Sequence, residues 1–357
     1  MKFTPPSQSI PSKNPQAFWR RSKHNKDSPK GSCVTDNRFA RAWTLRNHYA
    51  AQVMLLLKKG MTLSNILRYQ FPQWMPVAPL PPGLHLEFTN ICNLACTYCN
   101  TTMNLRPKGL LSEDTFERVV EEVQRHSIKR VYVVGNGEPT LHPAFCDYIG
   151  KLSRVTNILS LTTNLQKITR EVAESIVKDV NLLNVSLDGA DAESYERNRV
   201  RGKFTKLIDN FRLLNEIRKE SNSNMVINAR VMAHPSDEKN LGLIKSFWKQ
   251  FADIVSIQYV VDMTGTGGNV YAIQTSIEKY PRCSLPFKQL NVLWNGEVPM
   301  CTYYYLQADN PDDFVLGNIR ELGLKQLWLS PLIQHYRRAH KKRDVTNMPL
   351  CAGCGGC

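Results

Sequence analysis

The beginning of the sequence lacks the apolar region of a secretory signal. It starts Met-Lys-Phe-Thr-Pro-Pro, and the longest apolar run nearby, residues 53–57, is far too short to span a bilayer. These absences favour a soluble, cytoplasmic protein that has no membrane partner. At 357 residues, the chain is long enough to bury a sizeable core in one large domain with smaller appendages.

The densest group of cysteines in the sequence lacks a fourth metal ligand nearby. Cys92, Cys96 and Cys99 lie within eight residues, and no fourth cysteine or histidine lies within reach along the chain. Because a structural zinc site closes four ligands, three local thiols indicate a metal centre with one open position. Three buried or zinc-binding thiols are the alternative. The chain has ten cysteines, and without an export signal metal ligation is favoured over disulfides.

Strand and helix patterns alternate along the middle of the chain. Apolar or alternating runs predict six strands, at residues 84–88, 130–134, 158–162, 183–187, 226–232 and 254–260. The clearest helical pattern begins after Ser112, a suitable N-cap, and ends near Arg125. Its buried face is expected to contain Phe116, Val119, Val120 and Val123. This alternation predicts an α/β fold with a parallel sheet, a partial (β/α)6 TIM-like barrel whose site lies at the C-terminal ends of the strands.

The cysteine run, which follows the first predicted strand, resembles the signature of the radical S-adenosylmethionine (radical SAM) enzymes. In that superfamily three cysteines hold a 4Fe-4S cluster, and the amino and carboxylate groups of S-adenosylmethionine occupy the open iron. The resemblance implies that Cys92, Cys96 and Cys99 ligate this cluster. It also places Tyr98, the aromatic residue before the last cysteine, among the cofactor-binding residues.

Polar segments at the ends of the next strands extend the resemblance. Residues 135–139, Gly-Asn-Gly-Glu-Pro, resemble the segment that contacts the amino group of S-adenosylmethionine, with Asn136 in place of a glycine; an ordinary strand-end turn is the alternative. Two further strand ends resemble the ribose-contacting positions. The cofactor-binding residues predicted in these segments are Gly135, Asn136, Gly137, Glu138, Pro139, Thr163, Asn164, Ser186 and Asp188.

An arginine for the carboxylate of S-adenosylmethionine is expected after the fourth strand. Tyr195 followed by Arg199 resembles the segment that supplies it, and a guanidinium suits bidentate contact with a carboxylate. Arg197 and Arg201 are competing candidates.

Five further cysteines cluster near the C-terminus. Cys283, Gly296 and Cys301 give the pattern Cys-x12-Gly-x4-Cys, and the chain ends Cys-Ala-Gly-Cys-Gly-Gly-Cys. With a predicted hairpin at 287–296 and a helix at 324–328, this region resembles the SPASM and Twitch auxiliary-cluster domain. The resemblance implies one auxiliary 4Fe-4S cluster held by Cys283, Cys301, Cys351 and Cys354, with Cys357 as a spare ligand, a partner site or a frayed thiol. A zinc ribbon is the alternative.

These patterns divide the chain into four predicted parts. They are a basic, partly disordered arm at 1–37, a helical extension with a proline-rich linker at 38–80, the radical SAM barrel at 81–275 and the auxiliary domain at 276–357. The formal charge of +15 is concentrated partly in the arm and in residues 337–343. Such runs bind phosphate backbones or form solvated faces; no RNA-binding module accompanies them, so nucleic acid is not an expected partner. Cys146 is predicted to be a small buried thiol, with hydrogen-atom donation as the alternative.

The resemblance also implies a reaction. An electron, supplied by a reducing flavodoxin or ferredoxin, cleaves S-adenosylmethionine to a 5′-deoxyadenosyl radical that abstracts a hydrogen atom from the substrate. The auxiliary cluster favours net oxidation. We predict an oxidoreductase-type biosynthetic enzyme that dehydrogenates or epimerises a small polar metabolite, such as a sugar or aminocyclitol. A maturase of a ribosomally made peptide, assisted by a separate peptide-recognition protein, is the second hypothesis; RNA modification and a non-catalytic iron-sulfur scaffold are further alternatives.

Overall fold

A computed structural model describes residues 76–99, 106–233, 235–259, 283–301, 314–345, 348 and 351. The predicted arm at 1–37 and most of the extension at 38–80 lie outside the described residues. So do Cys354 and Cys357.

Seven parallel strands form the main sheet, in the order β6-β5-β4-β3-β2-β1-β7. The strands are β1 (Gly83–Leu86), β2 (Arg130–Val133), β3 (Ile158–Thr163), β4 (Leu182–Leu187), β5 (Val226–Ala233), β6 (Ile254–Tyr259) and β7 (Gln289–Val292). Strands β1 to β6 correspond to the six predicted runs. Among the described strands, β6 and β7 do not pair with each other, so the sheet is open, as expected for a partial barrel.

Helices connect successive strands, which makes the parallel arrangement possible. They are α1 (Glu113–Arg125), α2 (Phe145–Val155), α3 (Arg170–Asp179), α4 (Ala192–Asn198), α5 (Phe204–Glu220) and α6 (Leu241–Trp248). Helix α1 confirms the sequence pattern: the Ser112 side chain accepts a hydrogen bond from the backbone of Thr115. Phe116, Val119 and Val123 are buried on one face of it, whereas Val120, also predicted there, is only partly buried.

The seventh strand comes from the segment predicted to form the auxiliary domain. Strand β7 pairs with β1, whose other neighbour is β2, so β1 is not an exposed edge. The expected turn at Gly296 forms, with the Leu293 N–H donating to Glu297 O at 2.9 Å. The hairpin prediction was wrong in its pairing, however, because β8 (Glu297–Pro299) pairs with β9 (Val315–Asn318) instead.

Three helices complete the C-terminal region: α7 (Leu285–Lys288), α8 (Leu324–Trp328) and α9 (Pro331–Lys342). Helix α8 coincides with its prediction. The basic run at 337–343 is only partly a solvated face, because Arg337 is buried while Arg338, Lys341 and Lys342 are exposed.

The two faces of the sheet differ in polarity, because side chains alternate along each strand. Leu84, Val131 and Leu161 belong to the hydrophobic core beneath the helices. We call the opposite side the inner face, and its strand positions carry His85, Tyr132, Ser160, Asn184, Asn228, Ser256 and Asn291. In the part of the chain that the structure describes, no helix is long and apolar enough to cross a membrane.

Candidate functional site

Cys92, Cys96 and Cys99, in the loop after β1, line one cavity of about 140 Å³. The other lining residues come from the same loop, from the ends of β2, β3 and β4 and from the segment after α4. They are Leu94, Val134, Gly135, Asn136, Gly137, Glu138, Thr162, Thr163, Asn164, Ser186 and Arg199. The structure therefore brings most of the predicted site together; Tyr98, Pro139 and Asp188 are the predicted residues outside this lining.

The cysteine loop is fastened to the segment after α4 by backbone hydrogen bonds. The Ala95 N–H donates to Val200 O at 3.0 Å, and the Thr97 N–H donates to Asn198 O at 3.0 Å. Because these bonds flank Arg199 in sequence, they hold that arginine against the cysteines. The spacing of the cysteines does not reveal this contact, which joins two distant parts of the chain.

Two side-chain donors point at the cysteine sulfurs. The Asn164 Nδ2 lies 3.8 Å from Cys92 Sγ, and the Arg199 Nη1 lies 3.9 Å from Cys96 Sγ. Burial raises the pKa of Cys96 to about 11, and the positive charge of Arg199 opposes that rise. Thiolates are the form that ligates metal, and N–H donors stabilise them. Three thiols on one cavity, two of them approached by such donors, fit a cluster with one free iron position.

Glu138 lines the cavity, and its buried carboxylate is the centre of a hydrogen-bond network. Its Oε1 accepts from the hydroxyls of Thr140 at 2.8 Å and Thr163 at 2.7 Å, and its Oε2 accepts from the Asn164 N–H at 2.7 Å. Burial raises the pKa of Glu138, while these hydrogen bonds act in the opposite direction. The network ties the end of β3 to the Gly-Asn-Gly-Glu-Pro segment, so it fixes the orientation of the carboxylate in the cavity.

Gly137 lets the same segment lie directly on the cysteine loop. A Cβ at this position would stand 2.3 Å from Thr89 O and 2.6 Å from Ile91 O. The Glu138 N–H donates to Ile91 O at 2.8 Å, so the two backbones are already in contact. A glycine is therefore required here for close approach.

Replacing Gly137 by alanine is expected to lower the free energy of unfolding by about 1–3 kcal/mol, the usual cost of overpacking. Gly242→Ala is the matched control, because a Cβ there meets nothing within 4 Å and the residue lies within helix α6. In that helix alanine should stabilise by up to about 1 kcal/mol. Denaturant unfolding of both variants measures the difference, and equal effects would contradict the close approach.

The sequence analysis missed Glu87, which supports the site from the end of β1. Its buried carboxylate forms a two-bond ion pair with Arg106, at 2.9 and 3.1 Å, and accepts from the Asn136 N–H at 3.0 Å. A Cβ on Gly135 would lie 2.5 Å from Glu87 Cγ, so this glycine is packed against the glutamate. The signal available in the sequence was a charged residue between the apolar residues Leu86 and Phe88, at the end of a predicted strand.

Arg199 and Asp188 form a buried ion pair at the site. The Tyr98 hydroxyl donates to the same carboxylate, 2.8 Å from Oδ2, and the guanidinium lies 5.5 Å from the Tyr98 ring centroid. Asp188 is fully buried and Arg199 nearly so. The three residues therefore act as a unit: Asp188 and Tyr98 orient Arg199, whose Nη1 approaches Cys96.

The two competing arginines are placed elsewhere. Arg197 is half exposed on α4 and pairs with Glu193 at 3.9 Å, and Arg201 is exposed. Tyr195 is fully buried, and its hydroxyl accepts from Gln166 at 3.0 Å. Of the three candidate arginines, Arg199 alone lines the cavity.

The described C-terminal cysteines gather around one helix. Cys283 and Cys301 are half-buried, and Cys351 is buried. The Cys351 Sγ lies 3.6 Å from Nε2 of His340 on α9, and the Cys283 N–H donates to Nδ1 of the same imidazole at 3.4 Å. The sequence analysis missed His340, which lies eleven residues before the first cysteine of the terminal motif.

Cys146 does not belong to either group. It lies on α2 and lines a separate cavity of about 440 Å³ that shares no residue with the cysteine-loop cavity. Cys146 is only half-buried, so the prediction of a buried thiol was wrong in degree. Its place in a separate cavity gives no support to hydrogen-atom donation.

Comparison with known families identifies the two regions. The sequence matches the Radical SAM superfamily over residues 86–230 and the SPASM iron-sulfur cluster-binding domain over residues 283–355. The GTP 3′,8-cyclase of Cronobacter sakazakii is 31% identical over 131 residues, which cover 35% of this chain and 40% of that protein. The mycofactocin maturase MftC of Mycobacterium tuberculosis is 34% identical, with 35% of this chain and 32% of that protein covered. The chain thus spans less than half the length of these curated relatives.

Solved structures show the same fold. Streptococcus suis SuiB bound to its precursor peptide SuiA superposes with a TM-score of 0.58 at 14% identity, covering 90% of this chain and 76% of that one. The anSMEcpe structure with bound AdoMet has a TM-score of 0.56 at 18% identity, covering 76% and 88%. A Radical SAM domain implies a 4Fe-4S cluster that binds S-adenosylmethionine, and a SPASM domain implies auxiliary iron-sulfur binding. Both agree with the cofactors predicted from the cysteines. The chain therefore contains a Radical SAM superfamily domain at residues 86–230, followed by a SPASM iron-sulfur cluster-binding domain at residues 283–355.

Proposed function

We propose that this protein is an enzyme that reductively cleaves S-adenosylmethionine and abstracts a hydrogen atom from a polar substrate. The observation that carries the proposal is the single cavity lined by three cysteines, Glu138, the end of β3 and Arg199. When bound, the reduced cluster supplies the electron that breaks a carbon-sulfur bond of S-adenosylmethionine. A reduced flavodoxin or ferredoxin is the proposed electron donor.

The residues around the cavity have distinct proposed roles. Cys92, Cys96 and Cys99 hold the first cluster. Glu138 accepts a hydrogen bond from the ammonium group of S-adenosylmethionine, and Arg199 pairs with its carboxylate, which are the charged contacts that these side chains favour. The buried position of both groups strengthens such contacts, because water competes poorly there.

Ribose contacts are the proposed role of the strand ends that face the cavity. Thr163, Asn164 and Ser186 line it and carry hydroxyl or amide groups that suit sugar hydroxyls. Asp188 has a different proposed role from the one predicted by resemblance. Its carboxylate is engaged by Arg199 and Tyr98, so it positions the arginine instead of meeting the ribose.

A small polar metabolite is the proposed substrate, because the inner face of the sheet is polar below the cavity. Asn228 Nδ2 donates to Asn184 Oδ1 at 3.0 Å, and the Ser256 hydroxyl donates to Asn228 Oδ1 at 2.6 Å. The buried Ser160 Oγ has no hydrogen-bond partner among the described residues. A hydroxyl or amino group of a sugar or aminocyclitol could pair with Ser160, whereas an apolar substrate would leave the Ser160 hydroxyl unpaired.

Peptide maturation is the second candidate. It is supported by the similarity to SuiB bound to its precursor peptide, which covers more of this chain than the anSMEcpe structure does, and by the similarity to the mycofactocin maturase. A separate peptide-recognition protein would then be a further partner.

Anaerobic turnover separates the two candidates. The reduced, reconstituted protein is incubated with S-adenosylmethionine and either sugar and aminocyclitol candidates or precursor peptides, and 5′-deoxyadenosine is measured. We expect release above the uncoupled background with the polar metabolites. Stimulation by peptides alone would favour maturation, and no cleavage under any reducing condition would contradict the proposed activity.

The auxiliary cluster gives a separate prediction. Replacing Cys351 and Cys354 together by alanine should leave the first cluster and uncoupled cleavage of S-adenosylmethionine in place, because these cysteines serve another site. Conversion of substrate should fall strongly. Iron content and product formation are measured side by side, and zinc in place of iron at this site would contradict the auxiliary-cluster assignment.

A further inference from the structure

His340 connects two of the proposed auxiliary-cluster ligands that lie far apart in sequence. The imidazole is almost fully buried on α9. Its Nδ1 accepts from the backbone N–H of Cys283 at 3.4 Å, and its Nε2 lies 3.6 Å from Cys351 Sγ. One ring thus touches the first cysteine of the auxiliary motif and the first cysteine of the terminal run.

The backbone contact decides which nitrogen of His340 carries the proton. A backbone N–H is always a donor, so the Nδ1 that faces Cys283 must be the acceptor. In a neutral imidazole the proton then resides on Nε2. That N–H points at the sulfur of Cys351, which accepts it most strongly as a thiolate.

Helix α9 holds His340 in this position through Arg337, which lies one turn earlier. The buried guanidinium donates to Trp328 O at 2.7 Å and to Pro286 O at 2.8 Å, and lies 3.8 Å from the Trp328 ring centroid. Residues three apart on a helix share a face. The same contacts that bury Arg337 therefore hold His340 against the cysteines.

We propose that His340 is a positioning residue of the auxiliary cluster, aligning Cys283 and Cys351 and donating an Nε2–H hydrogen bond to the sulfur of Cys351. The proposal rests on the auxiliary cluster of the proposed function. A hydrogen bond to a ligating sulfur draws electron density away from the cluster and favours its reduced state. His340 therefore raises the reduction potential of the auxiliary cluster.

The hydrogen bond is tested by pulsed electron paramagnetic resonance on full-length protein labelled with 15N-histidine. Cys92, Cys96 and Cys99 are replaced by alanine so that the auxiliary cluster is the reporter. We expect a weak 15N coupling to the reduced cluster that disappears in His340→Gln and persists in His335→Gln, since His335 is an exposed residue of the same helix. No coupling, or one unchanged in His340→Gln, overturns the proposal; a strong coupling typical of an iron-bound nitrogen also overturns it.

The reduction potential gives a second readout that does not depend on catalysis. His340→Leu should lower the potential of the auxiliary cluster, and His340→Gln, whose amide retains an N–H donor, should lie between leucine and histidine. Equal potentials in all three proteins overturn the proposal. If His340→Leu loses its iron, the coupling measured in His340→Gln decides. If the parent protein, with His340 intact, binds no auxiliary iron, the auxiliary-cluster assignment fails and the proposal fails with it. If iron is bound but the spectra are the same with and without His340, only the His340 proposal fails.

Discussion

Replacing Cys92, Cys96 and Cys99 together by alanine is expected to remove about half of the iron and all cleavage of S-adenosylmethionine. With two clusters of four irons, reconstituted protein should hold about eight irons per chain, and the triple variant about four. The effect on cleavage should be complete, because the neighbouring donors Asn164 and Arg199 approach the sulfurs with N–H groups, which cannot replace thiolate ligands.

Iron analysis and 5′-deoxyadenosine release measure this prediction, and Cys146→Ala is its matched control. Cys146 is half-buried like Cys92 and Cys99 but lines a separate cavity. Its removal should leave both readouts unchanged. A triple variant that keeps its full iron content, or still releases 5′-deoxyadenosine, would contradict the assignment of the first cluster.

Replacing Arg199 by alanine is expected to weaken binding of S-adenosylmethionine by roughly tenfold to a hundredfold, because a charged hydrogen-bonded contact is worth about 1.5–3 kcal/mol. It should also lower the free energy of unfolding by about 3–5 kcal/mol, the usual cost of leaving a buried charge without its partner. That charge is Asp188, which is fully buried against the guanidinium.

The two effects of Arg199→Ala can be separated. Combining Arg199→Ala with Asp188→Asn also removes the unpaired carboxylate charge. The free energy of unfolding should then recover in part, while the affinity for S-adenosylmethionine stays low. Arg197→Ala removes an exposed arginine from the same segment and should change neither quantity by much. Denaturant unfolding and equilibrium binding provide the measurements. Unchanged affinity in Arg199→Ala would transfer the proposed carboxylate contact to Arg201 or Arg197.

Local sequence patterns were sufficient to predict much of the fold. The apolar runs predicted strands β1 to β6, and Ser112 with its apolar face predicted helix α1, because these features depend on side-chain periodicity and capping within a short stretch. The spacing of Cys92, Cys96 and Cys99 predicted the first iron-sulfur region for a similar reason, since these three residues are close in sequence. The auxiliary region was predicted from its resemblance to a known pattern, because its cysteines lie in two separate segments. The order of strands in a parallel sheet then places successive strand ends at one edge.

Strand pairing and the partners of buried polar residues were decided by contacts between distant parts of the chain. Strand β7 pairs with β1, which lies about two hundred residues earlier in the chain. The hydrogen bonds between strands join backbone groups, so the sequence of neither strand identifies its partner. Asp188 was predicted to meet ribose, yet tertiary packing places it against Arg199 and Tyr98. The sequence by itself determined strands β1 to β6, helices α1 and α8, and the two cysteine motifs. Only the tertiary structure decided the partners of Glu87, Asp188 and His340, because a buried polar side chain bonds to whichever group folding brings within hydrogen-bonding distance.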